Sequence, residues 1–244
     1  MLAQKENRIG EVVAENFRTA KIFEENGLDF CCGGKKTIIE ACTEKGVDPD
    51  NLLSQLNKID DSGARSTHFN SWEIDFLIEY IIINHHSYVV NSIPTIEHHL
   101  QEVIAAHGEK FSYLTKIEEL FTDLREELLS HMAKEEKMLF PYIKKMYIAY
   151  NNSLEMPVAP FGTVGNPVKV MESEHDAAGN LIQEISRLTN NYTPPEGACG
   201  KFKVLYAELK EFESDLHVHI HLENNILFPK AIELEMKLNK KHSN

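Results

Sequence analysis

Two stretches of this chain repeat one pattern of chemistry. Residues 131–141 read HMAKEEKMLFP and residues 219–229 read HIHLENNILFP, so each has a His, a Glu four residues on, and a Phe-Pro pair nine and ten residues after the His. A His and a Glu at i and i+4 stand one turn apart on one helix face and reach the same point in space. A lone His precedes each copy at a similar distance, His86 before His131-x-x-x-Glu135 and His175 before His219-x-x-x-Glu223. Four imidazoles and two carboxylates are a donor set for two metal ions. Mixed nitrogen and oxygen donors on helices suit iron or manganese pairs, not the thiolate-rich sites of zinc. If each Glu bridges both ions and each ion takes two His, a solvent-derived bridging oxygen adds a fifth donor. A position then stays open to a small molecule.

Such a set must face inward, and the apolar periodicity says that it does. Four long helices are expected over about 72–107, 111–149, 166–190 and 199–237. The second has the seam Leu114, Ile117, Phe121, Leu124, Leu128, His131, Glu135, Met138, Tyr142; the fourth has Phe202, Leu205, Leu209, Phe212, Leu216, His219, Glu223, Ile226. Spacings of three and four put His131, Glu135, His219 and Glu223 at core positions. His86 and His175 sit on the seams of the first and third helices. One inward His is usually a core residue with a single hydrogen-bond partner. An inward Glu costs several kcal/mol unless a cation meets it. No Lys or Arg lies on these seams near the donors, so metal ions are the expected cations. Pro94 should kink the first helix, and each Phe-Pro marks a bend or an approaching end. His85, His98, His99, His107, His217 and His221 are expected at the surface or in support of the ligands. Glu127, a turn before His131, and Glu174, beside His175, are candidates for supporting the ligands or lining an access path, against the plainer reading of solvated carboxylates.

Ahead of the helices lies a smaller region. Ile9, Val12, Val13, Phe17, Ala20 and Phe23 predict one amphipathic helix over 9–25, closed by Gly27. Two short helices follow at 37–45 and 49–57, the second with Asp48 as N-cap and Pro49 in its first position. Between them, Leu28-Asp29-Phe30-Cys31-Cys32-Gly33-Gly34 makes a tight turn beside two thiols. Cys31 and Cys32 read as a pair that forms a transient disulfide or relays iron, their pKa lowered by Lys35 and Lys36; the rival reading is a tight turn with inert thiols. Cys42 and Cys199 have no role that can be argued. Adjacent cysteines make a poor staple, so the thiols are expected reduced and the location cytoplasmic. The polar run 58–70 (KIDDSGARSTHFN) reads as a linker. The expected organisation is a domain at 1–57, a linker at 58–71 and a bundle at 72–238, all-α, with no strand pattern. The small domain is near the size at which partner contacts help, so it should dimerise or dock on its own bundle, and a homodimer is expected. A formal net charge of −13 argues against general binding to nucleic acid or an anionic membrane. No apolar run of about 18 residues and no signal-type h-region occurs.

Together, DFCCGGKKTIIEAC, HMAKEEKMLFP, VMESEHDAAG and HIHLENNILFP resemble the iron–sulfur cluster repair di-iron family, a branch of the hemerythrin-like proteins, over residues 9 to 229. The resemblance implies a small N-terminal helical domain followed by an antiparallel four-helix hemerythrin-like bundle. It implies two iron ions per chain, oxo- and carboxylate-bridged, on His86, His131, Glu135, His175, His219 and Glu223, with both Glu bridging. Oxygen-carrying hemerythrins use five His; four His and two Glu leave a more open and labile pair. The implied function is repair of clusters damaged by nitric oxide or oxidative stress, with damaged iron–sulfur proteins as partners and nitric oxide or O2 as small ligands; the open pair beside a thiol-bearing domain points to iron donation as the route. Two rival readings share the ligands: a nitric oxide reductase, which is an enzyme, and a non-catalytic O2 or NO sensor or carrier.

Overall fold

Local chemistry shapes the N-terminal helices. In the computed structural model, which describes residues 2–59 and 68–242, the helix expected over 9–25 is two: α1 (Ile9–Glu15) and α2 (Thr19–Glu25). Asn16 separates them in an extended conformation. Its side chain accepts from Arg18 N–H at 3.1 Å, and the Thr19 hydroxyl donates to its carbonyl at 2.8 Å. An Asn that offers local hydrogen bonds competes with the helix ladder, and here it wins. α3 (Ile38–Lys45) starts from a capping box, Thr37 with Glu40, and ends on left-handed Gly46. α4 (Pro49–Leu56) has Asp48 as N-cap and Pro49 in its first turn, as expected.

The chain forms two compact units. The first comprises Met1–Ile78, Ile143–Val158 and His217–Asn244. Phe23, Phe30, Ile9, Ile38, Leu52 and Phe228 are fully buried in it, each contributing about 1.5–3 kcal/mol by leaving water. Phe17 meets Phe69 edge-on at 5.4 Å and Phe30 at 6.4 Å. Of the stretch 58–71 read as a linker, residues 60–67 lie outside the described residues; Phe69 is buried.

The second unit, Glu79–Tyr142 and Ala159–Leu216, holds four long helical segments. The long helices read in order α5 (Ile74–Tyr80), π1 (Ile81–His86) and α6 (Ser87–His107); α7 (Tyr113–Lys134), π2 (Glu135–Leu139) and α8 (Phe140–Asn151); α9 (Gly165–Leu188); then α10 (Gly200–Leu222), π3 (Glu223–Leu227) and α11 (Phe228–His242). Pro94 lies inside α6 without ending it. Cross-helix pairs give the directions. His85 meets Asp215 at 2.9 Å and His99 meets Glu208 at 2.7 Å, so α10 runs against the first long helix. Arg125 meets Glu97 and Glu136 meets His86, so α7 and π2 run against it too. Within this unit the segments form an antiparallel four-helix bundle whose seams are the predicted ones: Leu114, Ile117, Phe121, Leu124 and Leu128 are buried, as are Val168, Ile182, Ile185, Phe212 and Leu216, and Phe121 meets Phe212 edge-on at 5.5 Å. One seam position is corrected. Met138 is 52% exposed and Leu139 is buried instead, because the π turn advances the register by a residue. Among the described residues no helix is long and apolar enough to cross a membrane, and the β content is a single bridge, Arg8 to Thr37.

Candidate metal centre

Three of the long helices widen into π turns at their donors. His86 ends π1, and Glu135 and Glu223 open π2 and π3. The wider ladder shows in Phe140 N–H donating to the Glu135 carbonyl and Phe228 N–H to that of Glu223, five residues back. Single π turns inside α-helices recur at functional sites. For π2 and π3 the Phe-Pro pairs give the cause: Pro141 and Pro229 lack an N–H, and in a regular α-helix each ring would strike the carbonyl four residues earlier. Widening the turn ahead of each proline relieves that contact. Past the prolines the helices run on to 151 and 242, close to the expected ends at about 149 and 237.

His86, His131 and His175 are 2, 2 and 1% exposed, and Glu135 is fully buried. Glu135 Oε2 lies 3.4 Å from His86 Nε2 and 3.3 Å from His131 Nε2, and His175 Nε2 lies 2.9 Å from His131 Nε2. The far nitrogens are held by carboxylates: His86 Nδ1 is 2.7 Å from Glu136 Oε1 and His131 Nδ1 is 2.9 Å from Glu174 Oε2. A carboxylate only accepts, so each Nδ1 is the donor and each Nε2 lone pair faces inward. Burial draws the Glu174 carboxyl upward, but hydrogen bonds from Lys134 and His131 win and hold it below the usual range. Phe140 stacks on His86 with centroids 5.8 Å apart. On the last long helix, His219 and Glu223 are fully buried, with His219 Nε2 3.2 Å from Glu223 Oε1.

These residues make two buried groups. His86, Glu135, His219 and Glu223 form one; His131, Glu135, His175 and Glu223 form the other; in each the donor atoms lie within 4.8 Å of one another. Both carboxylates belong to both groups. An ionised carboxylate without exposure needs cations, and imidazole and carboxylate donors are what first-row ions such as iron and manganese accept. The donor chemistry fits a pair of ions.

Other candidates fall elsewhere. Glu174 supports His131, while Glu127 is exposed on the rim of a shallow surface hollow of about 410 Å³ with Asp123, Glu126 and Asn180. Glu136 was missed by sequence reasoning, since its tie to His86 crosses helices. His85 and His221, expected at the surface or in support, are both buried. His221 packs against Phe17 at 6.0 Å and Phe30 at 5.5 Å, and burial pushes its imidazole down to about 4. In the Cys-Cys turn, Asp29 does the organising. Its Oδ1 accepts from the backbone N–H of Cys31 at 2.9 Å and Cys32 at 3.0 Å and from the Cys31 thiol at 3.1 Å, and its Oδ2 from Gly33 N–H at 3.0 Å. The expectation that Lys35 and Lys36 lower the thiol pKa fails for Cys31. The Cys32 thiol 3.8 Å away, burial and the Asp29 charge push it well up, and Lys36 pairs with Glu44 at 2.5 Å.

Two family models match this chain. Residues 77–231 match the hemerythrin HHE cation binding domain, and residues 5–60 match a domain of unknown function, DUF542. Among curated proteins, the chain is 36% identical over 218 residues to the iron–sulfur cluster repair protein YtfE of Yersinia pestis (strain Pestoides F), covering 89% of this chain and 93% of that one. The likeness to the protein of that name from Yersinia pseudotuberculosis serotype IB (strain PB1/+) has the same identity and coverage.

Proposed function

The chain belongs to the family of the iron–sulfur cluster repair protein YtfE, and on that premise we propose that it is a non-haem di-iron protein that repairs iron–sulfur clusters damaged by nitric oxide or oxidative stress. The observation that carries the reading is the sharing of Glu135 and Glu223 between two buried donor groups. His86 and His219 would hold one iron and His131 and His175 the other, with Glu135 and Glu223 common to both donor groups. Bound there, the pair supplies redox-dependent affinity for oxygen donors, and its iron is also the cargo. Glu136 and Glu174 fix the imidazoles of His86 and His131 for binding, so loss of an ion does not require the rings to reorganise. Damaged iron–sulfur proteins are the recipients, and nitric oxide or O2 are the small ligands that reach the site. Cys31 and Cys32 relay iron as a thiol pair only when Cys31 leaves the buried position that pushes its thiol pKa up. The working organisation is the small domain 1–57, the linker 58–71 and the bundle 72–238, in a cytoplasmic homodimer.

Iron analysis of the protein from iron-replete expression should give about two ions per chain, one for each donor group. Mixing the loaded protein with an iron-depleted cluster enzyme should restore activity faster than an equal amount of free Fe(II). Restoration no faster than by free Fe(II) rejects donation; zinc, manganese or no metal rejects the di-iron reading itself.

A further inference from the structure

One side chain ties the Cys-Cys turn to the segment that carries Glu223. Asn225 lies in π3, and its Nδ2 group is 3.2 Å from the carbonyl oxygens of both Phe30 and Cys31 and 3.2 Å from His221 Nδ1. Two glycines make room for it. A methyl built on Gly10 would come to 2.3 Å from Asn225 Oδ1, and one on Gly34 to 2.5 Å. Neither glycine has a positive φ, so backbone freedom does not account for them. Gly10 even lies inside α1, where alanine is the better helix former. Space for the Asn225 amide does account for them. The group placed under this clamp is Cys31, which is 4% exposed.

We infer that Asn225 is a latch, a positioning residue that seats the Cys31–Cys32 turn on π3, with Gly10 and Gly34 as its socket, so that the Cys31 thiol is reachable only when the amide lets go. The thiol pair is thereby linked mechanically to the segment that begins at Glu223. Release of the latch precedes any meeting of Cys31 with another thiol, a soft metal ion or an alkylating agent. The inference concerns access to the thiol, and it stands whether or not the pair relays iron.

Pulsed alkylation of the full-length, iron-loaded protein with iodoacetamide, read by peptide mass spectrometry, tests it. Cys42 is fully buried in the same small domain and serves as the internal control. In N225A, labelling of Cys31 should rise about tenfold or more while Cys42 keeps the wild-type rate. G10A should do the same although it favours the helix, because the atom its methyl displaces is the latch. The double variant G10A/N225A should rise no further than either single variant, since one latch is displaced in all three. An unchanged Cys31 rate in both single variants overturns the inference. So does a Cys42 rate that climbs in step with Cys31, which means general loosening, or an additive rise in the double variant, which means that Gly10 acts on something else. Iron content is measured in parallel, so a failed di-iron reading shows in the wild type and is not mistaken for a failed latch.

Discussion

The two His-Glu segments hold the same donors, the same π turn and the same Phe-Pro pair in opposite surroundings. In the first, Glu136, Lys137 and Met138 are exposed between the donors and the proline. In the second, everything from His219 to Phe228 is buried except half-buried Asn225. The repeated residues are those that metal binding and helix geometry demand. The residues that differ follow from what lies outside each segment: water beside Glu136 and Lys137, the small domain's Phe17, Phe30 and Cys-Cys turn beside His221 and Asn225. A duplicated segment therefore keeps its chemistry and surrenders the rest of its surface to its neighbours.

If the donors are equivalent, removing either carboxylate should have the same and the largest effect. Glu135→Ala and Glu223→Ala should each lose most of both ions, because each carboxylate serves both donor groups. His86→Ala and His175→Ala each belong to one group and should retain about one ion. Metal analysis of the four purified variants checks this. A Glu223→Ala chain that keeps one full ion would show that the two carboxylates are not equivalent partners.

The comparison also explains what could be read from the amino acids alone. The burial of the candidate donors was legible because a His-x-x-x-Glu falls on an apolar seam in both copies, and an inward Glu is costly without a cation. The four seams were legible from spacing. The π turns were not, since widening a ladder by one residue leaves no periodic trace; only the prolines hinted at trouble, and the inward shift from Met138 to Leu139 followed unseen. The break at Asn16 was hidden because the apolar pattern continues across it. His221 was misplaced for an instructive reason. Two residues from His219 it does point away from the donors, but that face is covered by Phe17 and Phe30. A signal existed: the first segment carries Lys134, Glu136 and Lys137 around Glu135, whereas the second has Glu223 as its sole charge among Asp, Glu, Lys and Arg. Loss of charge on the outer face of a helix announces burial on both sides.

The carboxylates behind the imidazoles separate the surroundings more finely. Glu174, with its side chain 28% exposed and tied to both His131 and Lys134, has no solvent substitute of equal strength. Glu174→Gln should lower metal affinity by roughly 10- to 100-fold, the range for losing an outer partner of a metal-bound His. Competition with a chromogenic chelator measures it, and unchanged affinity would mean that the His131 ring is held by packing alone.

Glu136 makes the same kind of bond to His86 but is 43% exposed on its side chain. Once the carboxylate becomes an amide, water can accept from His86 Nδ1–H, and the Phe140 ring still fixes the imidazole plane. Glu136→Gln should therefore cost about tenfold at most, below the effect of Glu174→Gln, in the same chelator competition. The ranking is the point of the test. If Glu136→Gln proved the more damaging, orientation of His86 would depend on charge carried at an exposed position, and water would not be an adequate stand-in there. The exposed face of the first segment would then belong to the metal chemistry as much as its buried face does.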